Sequence, residues 1–393
     1  MLDKLQYDFI APRQIVFGWG RRSEAGPLAQ SLGRRAWLVV GAGALIEGGQ
    51  IVQIEQSLHA AGVESCLLTT IEHEPEVADV DRLAAKVHQQ AAEGDLLLAV
   101  GGGAAIDLAK AVAAMATNRE SPTVQDYLEN VGRDLKLRQP PLPVMALPTT
   151  AGTGAEATRN AVISCYQPAF KKSLRDTRIM PQITLVDPEL SVSVPPAVTA
   201  ASGMDAITQL LESYLSRKAQ PLPQALALQG LALAVPAIAE AVHHGDSRPA
   251  RERMAHAALL SGMCLANSGL GMAHGVAAAL GVHARVPHGV ACALMLPVAL
   301  RVNLPLRTRE MAVLARSLYG AAALGPDEEA AWLLVQRIEA LCDEVHVPRR
   351  LADVGVGRDL IPLLVPGSRG SSMSGNPRDL SDEELAQILE DLL

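Results

Sequence analysis

The chain has 393 residues, 49% of them hydrophobic but only 3% aromatic, and a formal net charge of −8. That length accommodates two domains with full cores built from Ala, Leu and Val, and the acidic balance excludes a partner such as nucleic acid, which needs a basic face. Five cysteines (Cys66, Cys165, Cys264, Cys292, Cys342), odd in number and without a CxxC pair, argue against a disulfide framework or a structural zinc module and for a reducing, cytoplasmic compartment.

From the N-terminus, "MLDKLQYDFI" has no apolar run behind a basic flank, so no signal peptide is expected. Strand-length apolar runs follow at 36–40 (AWLVV), 65–69 (SCLLT), 96–100 (LLLAV), 144–147 (VMAL) and 183–186 (ITLV). Helical spacing lies between the early runs at about 50–60, 79–92 and 104–117. Such alternation predicts βαβ units and a mostly parallel sheet covered on both faces. Beyond about residue 190 strand signals stop and long Ala/Leu-rich stretches predict an all-helical region. The composition shift near Asp187 and Pro188 divides the chain into an α/β domain, 1–188, and a helical domain, 189–393. The most apolar window, "ALALQGLALAVPAIAEAV" from Ala225, is interrupted by Gln229, Pro236 and Glu240 and reads as a buried helix, with no membrane span expected. Near the C-terminus Ser381 and Glu384 have capping-box spacing.

Three glycine-containing turns each follow a predicted strand. In "LLLAVGGGAAIDLAK", Gly101, Gly102 and Gly103 precede a helix whose free N–H groups suit a pyrophosphate; a tight turn that binds nothing is the competing reading. "GAGALI", from Gly41, has two of the three glycines of a dinucleotide fingerprint, and Gly41 leaves no acid at the strand end to hold a ribose 2′-hydroxyl. "LPTTAGTGAEAT" interleaves Thr149, Thr150 and Thr153 with glycines, a pattern for sugar or amide recognition or for a polar loop. At the carboxyl ends of parallel strands, all three fall where open α/β sheets bind ligands.

The helical half carries the second constellation. In "GMDAITQLLESY" Asp205 and Gln209 lie one turn apart on one helical face. His274, His283 and His288 cluster within "GLGMAHGVAAALGVHARVPHGVACALMLP", where a helix, a turn and a returning helix bring His274 towards His288. Asp205, His274 and His288 then make either an Asp–His–His set with an open position, as a catalytic divalent metal requires, or two packed histidines beside a helix carboxylate.

With "GGGAAIDLAK", "PTTAGTGAEAT", "VDPELSVSVPPAVTAASGMDAITQ" and "VPHGVACALMLP" in this order, the chain resembles the iron-containing (group III) alcohol dehydrogenase family from about residue 15 to residue 375. The resemblance implies an α/β N-terminal dinucleotide-binding domain with a parallel sheet plus an all-α C-terminal domain, the dehydroquinate synthase-like architecture. It implies a metal-dependent, NAD(P)-linked oxidoreductase that interconverts a small-molecule alcohol and an aldehyde or ketone, working as a homodimer. It assigns Gly102 and Gly103 to the pyrophosphate, with Gly101, Ala104 and Asp107 in the same motif, and Thr149, Thr150 and Thr153 to the nicotinamide half, with Lys171 or Lys172 reaching it. Asp205, His274 and His288 match three metal ligands, whereas Gln209 stands at a fourth, usually histidine, and Ala278 where the family often has a substrate-side histidine. His283 is the nearest titratable substitute in sequence.

Two expectations follow from these departures. A glutamine in place of an imidazole disfavours Fe2+ and opens the site to Zn2+ or to weak occupancy. Gly41, at a position commonly aspartate in NAD-preferring members, leans the cofactor towards NADP or dual use. A non-catalytic member with a weakened metal site, a polyol dehydrogenase or a dehydroquinate-synthase-like lyase are the alternatives.

Overall fold

A computed structural model describes residues 6–41 and 48–393; most of the GAGALI turn, residues 42–47, lies outside the described residues. Contacts divide the chain into two compact units. One holds Pro12–Pro195 with His244–His256, and the other holds Pro196–His243 and Ala257–Leu393 with the segment ending at Ala11.

The first unit is α/β. Its strands are β1 (Gln14–Phe17), β2 (Arg35–Gly41), β3 (Glu64–Ile71), β4 (Asp95–Gly101), β5 (Val144–Pro148), β6 (Asn160–Tyr166), β7 (Ala169–Arg175) and β8 (Ile183–Val186). Six of them form a sheet in the order β1-β8-β5-β4-β2-β3, every pair parallel, while β6 and β7 form a separate antiparallel hairpin. The central strands are apolar throughout because both faces are covered. Ala36, Leu38, Val40, Leu96, Leu98 and Val100 pack with helices α1 (Ala25–Gln30) and α2 (Gln50–Ala60). Trp37, Val39, Leu97 and Ala99 pack on the opposite side with α3 (Val77–Gln90) and α4 (Gly103–Thr117). Leu96 to Val100 are completely buried, and each Leu or Val there contributes roughly 1.5–3 kcal/mol.

All five expected strands and three expected helices form. Strand β1 and the β6–β7 hairpin are additions to the expected set.

The second unit is helical, with no strand among the described residues. Its helices are α5 (Pro196–Leu215), α6 (Pro221–Ala234), α7 (Ile238–His243), the part of α8 (Arg248–Asn267) from Ala257, α9 (Met272–Ala284), α10 (His288–Tyr319), α11 (Asp327–Glu344), α12 (Ile361–Gly367) and α13 (Asp382–Glu390). The apolar window from Ala225 forms α6 and α7, parted by a turn at Pro236. Ser381 and Glu384 form the expected capping box of α13. The helix from His288 is long and apolar enough to cross a membrane, but it contains Pro297 and Pro305, and more than half of its most apolar stretch is buried in the fold. Its core partners come from α9, α12 and α13, including Val276, Leu280, Leu364 and Leu385.

Candidate metal centre and cofactor loops

In the α/β unit the carboxyl ends of β2, β4 and β5, which precede the three predicted loops, lie at one end of the sheet. Gly101 pairs with Pro148 across β4 and β5, and Val40 with Val100 across β2 and β4. The turns after β4 and β5 therefore face each other, and the Thr149 amide donates to the Gly101 carbonyl at 3.1 Å. Gly103 packs tightly against Thr153: a Cβ there would lie 2.6 Å from Thr153 Oγ1. Helix α4 starts at Gly103 behind Gly102 with no side-chain cap, so its first N–H groups stay open to a ligand. Ala104 lies in that first turn.

Two residues assigned to the cofactor have protein partners. Asp107 accepts from the Val162 amide at 3.1 Å and pairs with Lys110 at 2.9 Å, which ties α4 to β6. Lys171 is engaged by Glu74 at 2.5 Å. Gly41 ends β2 so close to the end of β4 that a Cβ would lie 3.1 Å from the Gly101 Cα.

In the helical unit, α5 carries Asp205, Gln209 and Glu212 along one face at spacings of four and seven. Helix α9 begins at Met272 and brings in His274, and α10 begins at His288 itself behind Pro287. Between them Arg285 takes the left-handed conformation (φ 54°) that ends α9 and turns the chain back. The return is tight because Gly289 has no side chain: a Cβ there would lie 2.5 Å from the Ala201 carbonyl oxygen of α5. The first turn of α10 thus rests on the backbone of α5.

Asp205, His274, His288 and Cys292 converge, with one potential ligand atom from each within 4.8 Å of all the others. His274 Nε2 is 3.2 Å and His288 Nε2 is 3.9 Å from Asp205 Oδ1, and Cys292 Sγ is 3.6 Å from His288 Nε2. The two imidazole rings meet edge-on, 5.5 Å apart. Asp205, His274 and Cys292 are buried, while His288 is partly exposed and forms the open side of the cluster. A carboxylate, two imidazoles and a thiol in one buried knot fit a divalent cation: without one, two of these donors need a proton between them.

The protonation states follow from the neighbours. Glu212 Oε2 lies 2.7 Å from His274 Nδ1 while its other oxygen accepts from the Ala273 amide at 2.8 Å. Nδ1–H thereby donates to Glu212, and Nε2 is aimed at Asp205. Burial alone raises the Asp205 carboxyl, but His288 and His274 outweigh it and hold it below the ordinary carboxylate range. Burial likewise opposes charge on His274, yet its contacts raise it well above an ordinary histidine. We assign that rise to Asp205 and Glu212, because burial pushes the Cys292 thiol up to about 12 and leaves it uncharged near neutrality.

Gln209, one turn beyond Asp205, is buried, with Oε1 3.3 Å from the Ser261 hydroxyl. The same hydroxyl lies 2.8 Å from the Ala258 carbonyl, so the two acceptors share its one proton. Ala278 follows His274 by one turn and extends no donor along that row. His283 does not join the cluster. Nine residues past His274 it points to the opposite side of α9, where its ring meets α12: a Cβ at Gly367 would lie 3.2 Å from His283 Nε2. Cys292 and Glu212 are the members that sequence reasoning missed. The available signal was spacing, since Cys292 is one turn after His288 and Glu212 two turns after Asp205.

Residues 12–188 match the family described as iron-containing alcohol dehydrogenase, and residues 199–393 match the Fe-containing alcohol dehydrogenase family, C-terminal. The chain is 32% identical over 390 residues to a 1,3-propanediol dehydrogenase of Klebsiella pneumoniae, covering 97% of each chain. It is 32% identical over 375 residues to a lactaldehyde reductase of Escherichia coli (strain K12), covering 94% of this chain and 96% of that one. An alcohol dehydrogenase from Oenococcus oeni has the same fold, with a TM-score of 0.91 at 30% identity over 99% of this chain and 100% of that one.

Proposed function

The chain belongs to the iron-containing alcohol dehydrogenase family and is an oxidoreductase that interconverts alcohols with aldehydes or ketones; from that premise we propose that Asp205, His274 and His288 hold its divalent metal and that the loops at Gly101–Gly103 and Thr149–Thr153 hold NAD(P)H. The observation that carries this reading is the convergence of the Asp205, His274 and His288 donor atoms, with His274 already turned by Glu212 to present Nε2. That retained knot favours an active enzyme over a non-catalytic relative.

A divalent ion bound there supplies Lewis acidity to the substrate oxygen, and the nicotinamide carries the hydride. The chain's own residues supply charge, orientation and dryness. Asp205 offsets the cation, Glu212 accepts the Nδ1 proton of His274, and burial keeps Asp205, His274 and Cys292 from water while His288 is partly exposed. With a methyl group at Ala278 and His283 turned away, the proton exchanged with substrate passes to solvent on the His288 side.

Gly41 puts no carboxylate beside a ribose 2′-phosphate, so NADPH is accepted as well as NADH. The names of the two relatives described above, a propanediol dehydrogenase and a lactaldehyde reductase, make short alcohols and aldehydes the first substrates to try. We place the enzyme in the cytoplasm as a homodimer.

The test is reduction of a small aldehyde panel with NADH and NADPH, repeated with zinc, with iron(II) and with chelator, alongside a metal assay. Asp205→Asn loses bound metal and activity together; full activity in metal-free protein overturns the reading.

A further inference from the structure

We propose that Cys292 Sγ, and not Gln209, completes the ligand set with Asp205, His274 and His288, so that this centre is a carboxylate–imidazole–imidazole–thiolate site suited to zinc or another thiol-seeking divalent ion. The inference rests on the metal reading above and specifies the fourth donor.

Geometry is the first argument. Zinc bound tetrahedrally at about 2.0–2.1 Å to nitrogen or oxygen and about 2.3 Å to sulfur places neighbouring N and O donors about 3.3 Å apart, and N and S donors about 3.5 Å apart. His274 Nε2 and Asp205 Oδ1 are separated by 3.2 Å, and Cys292 Sγ and His288 Nε2 by 3.6 Å. The longest named edge, His288 Nε2 to Asp205 Oδ1, is 3.9 Å and closes by a small rotation of the partly exposed ring. The remaining edges are no longer than 4.8 Å, so binding an ion draws the donors inward.

Placement is the second argument. Cys292 is one turn beyond His288 on α10, so the helix carries both donors on one face as a rigid pair. Its sulfur is completely buried, and its near polar neighbours are the ring nitrogens of His288 at 3.6 and 4.0 Å. A buried thiol usually rests among apolar groups; this one faces two imidazoles and a carboxylate.

Chemistry is the third. Gln209 offers one neutral, hard oxygen, which already lies 3.3 Å from the Ser261 hydroxyl. Cys292 offers a soft anionic donor once its proton leaves to solvent: the S–H bond breaks, a sulfur–metal bond forms, and no redox change occurs. Thiolate ligation shifts preference away from hard, weakly bound ions towards zinc. Zinc can expand to five donors in a transition state, so with four protein ligands substrate would enter as a fifth.

The experiment is cobalt(II) substitution of the purified full chain, with zinc affinity measured by competition against a chromophoric chelator. Wild-type protein is expected to show the intense near-ultraviolet thiolate-to-cobalt charge-transfer band. Cys292→Ser is expected to lose that band while the weaker visible cobalt bands persist, and to bind zinc at least about 100-fold more weakly, beyond the usual effect of losing an outer-shell partner. Gln209→Ala is expected to keep the band and to change zinc affinity less than about tenfold. Cys292→Ala, checked by melting and far-ultraviolet circular dichroism, guards against a folding defect in the serine variant. One cobalt per chain without the charge-transfer band, or a Cys292→Ser chain that binds zinc as the wild type does, overturns the thiolate assignment and leaves the metal reading standing. Absence of stoichiometric cobalt and zinc overturns both.

Discussion

Glu212→Gln tests whether the orientation of His274 sets metal affinity. In the native site two donors share one carboxylate: the Ala273 amide on Oε1 at 2.8 Å and His274 Nδ1 on Oε2 at 2.7 Å, with the His274 amide a longer third contact at 3.4 Å. Glutamine keeps one acceptor oxygen and brings an NH2 group in place of the other. If the oxygen stays on the Ala273 amide, the NH2 meets Nδ1 and favours the tautomer with its proton on Nε2, the atom we propose for the metal. If the oxygen turns to Nδ1, a buried amide donor faces another donor. The first arrangement predicts a tenfold to hundredfold loss of metal affinity, about 1.4–2.7 kcal/mol; the second adds about 1–3 kcal/mol of lost fold stability for an unsatisfied buried donor. Zinc titration against a chromophoric chelator reads the first, and chemical denaturation of the apo chain reads the second. A variant that melts like the wild type and binds zinc within about twofold, less than roughly 0.5 kcal/mol, refutes the orienting role of Glu212.

Two further outcomes are expected. Glu156 is buried, and burial, the largest cause, lifts its carboxyl from 4.5 to about 7. The folded chain therefore holds this proton more tightly than the unfolded chain: the stability it contributes is full below pH 4.5, is lost as the pH rises to about 7, and stays lost above. Across that window the loss amounts to about 3 kcal/mol, and Glu156→Gln flattens that part of the profile when urea unfolding is compared at pH 5 and pH 8; equal pH dependence in both chains contradicts the argument. Gly103→Ala places its methyl 2.6 Å from Thr153 Oγ1 and 2.9 Å from Thr153 Cγ2, which costs about 1–3 kcal/mol and weakens NAD(P)H binding in a fluorescence titration. Adding Thr153→Ala to that background recovers part of the melting temperature if the clash is the cause.

The central sheet is legible because strands covered on both faces must be apolar at every position, as Leu96 to Val100 are. Edge strand β1 breaks that rule: in Gln14–Phe17 only Val16 is buried, so no apolar run marks it. The β6–β7 hairpin is hidden for a similar reason, since Lys171, Lys172 and Ser173 keep β7 polar. The positions of Asp205, His274 and His288 are visible through motif order, while Glu212 acquires its place only when the start of α9, more than sixty residues away in sequence, folds onto α5. Cys292 escapes a search for CxxC pairs because its partner is a histidine one turn earlier. His283 illustrates the opposite error, proximity in sequence without proximity in space, and half a turn of helix is enough to produce it.

The contact at Gly289 has one more consequence. Because the start of α10 bears on the α5 backbone with no side chain interposed, the separation of the two helices is fixed by a hard stop instead of a compressible layer. The frame and the donors are therefore separable: a side chain at 209 or 292 can be exchanged while the helices that present Asp205 and His288 hold their distance. Metal choice in such a scaffold becomes a matter of swapping fittings on a fixed mount, reachable by single substitutions that leave the architecture unchanged.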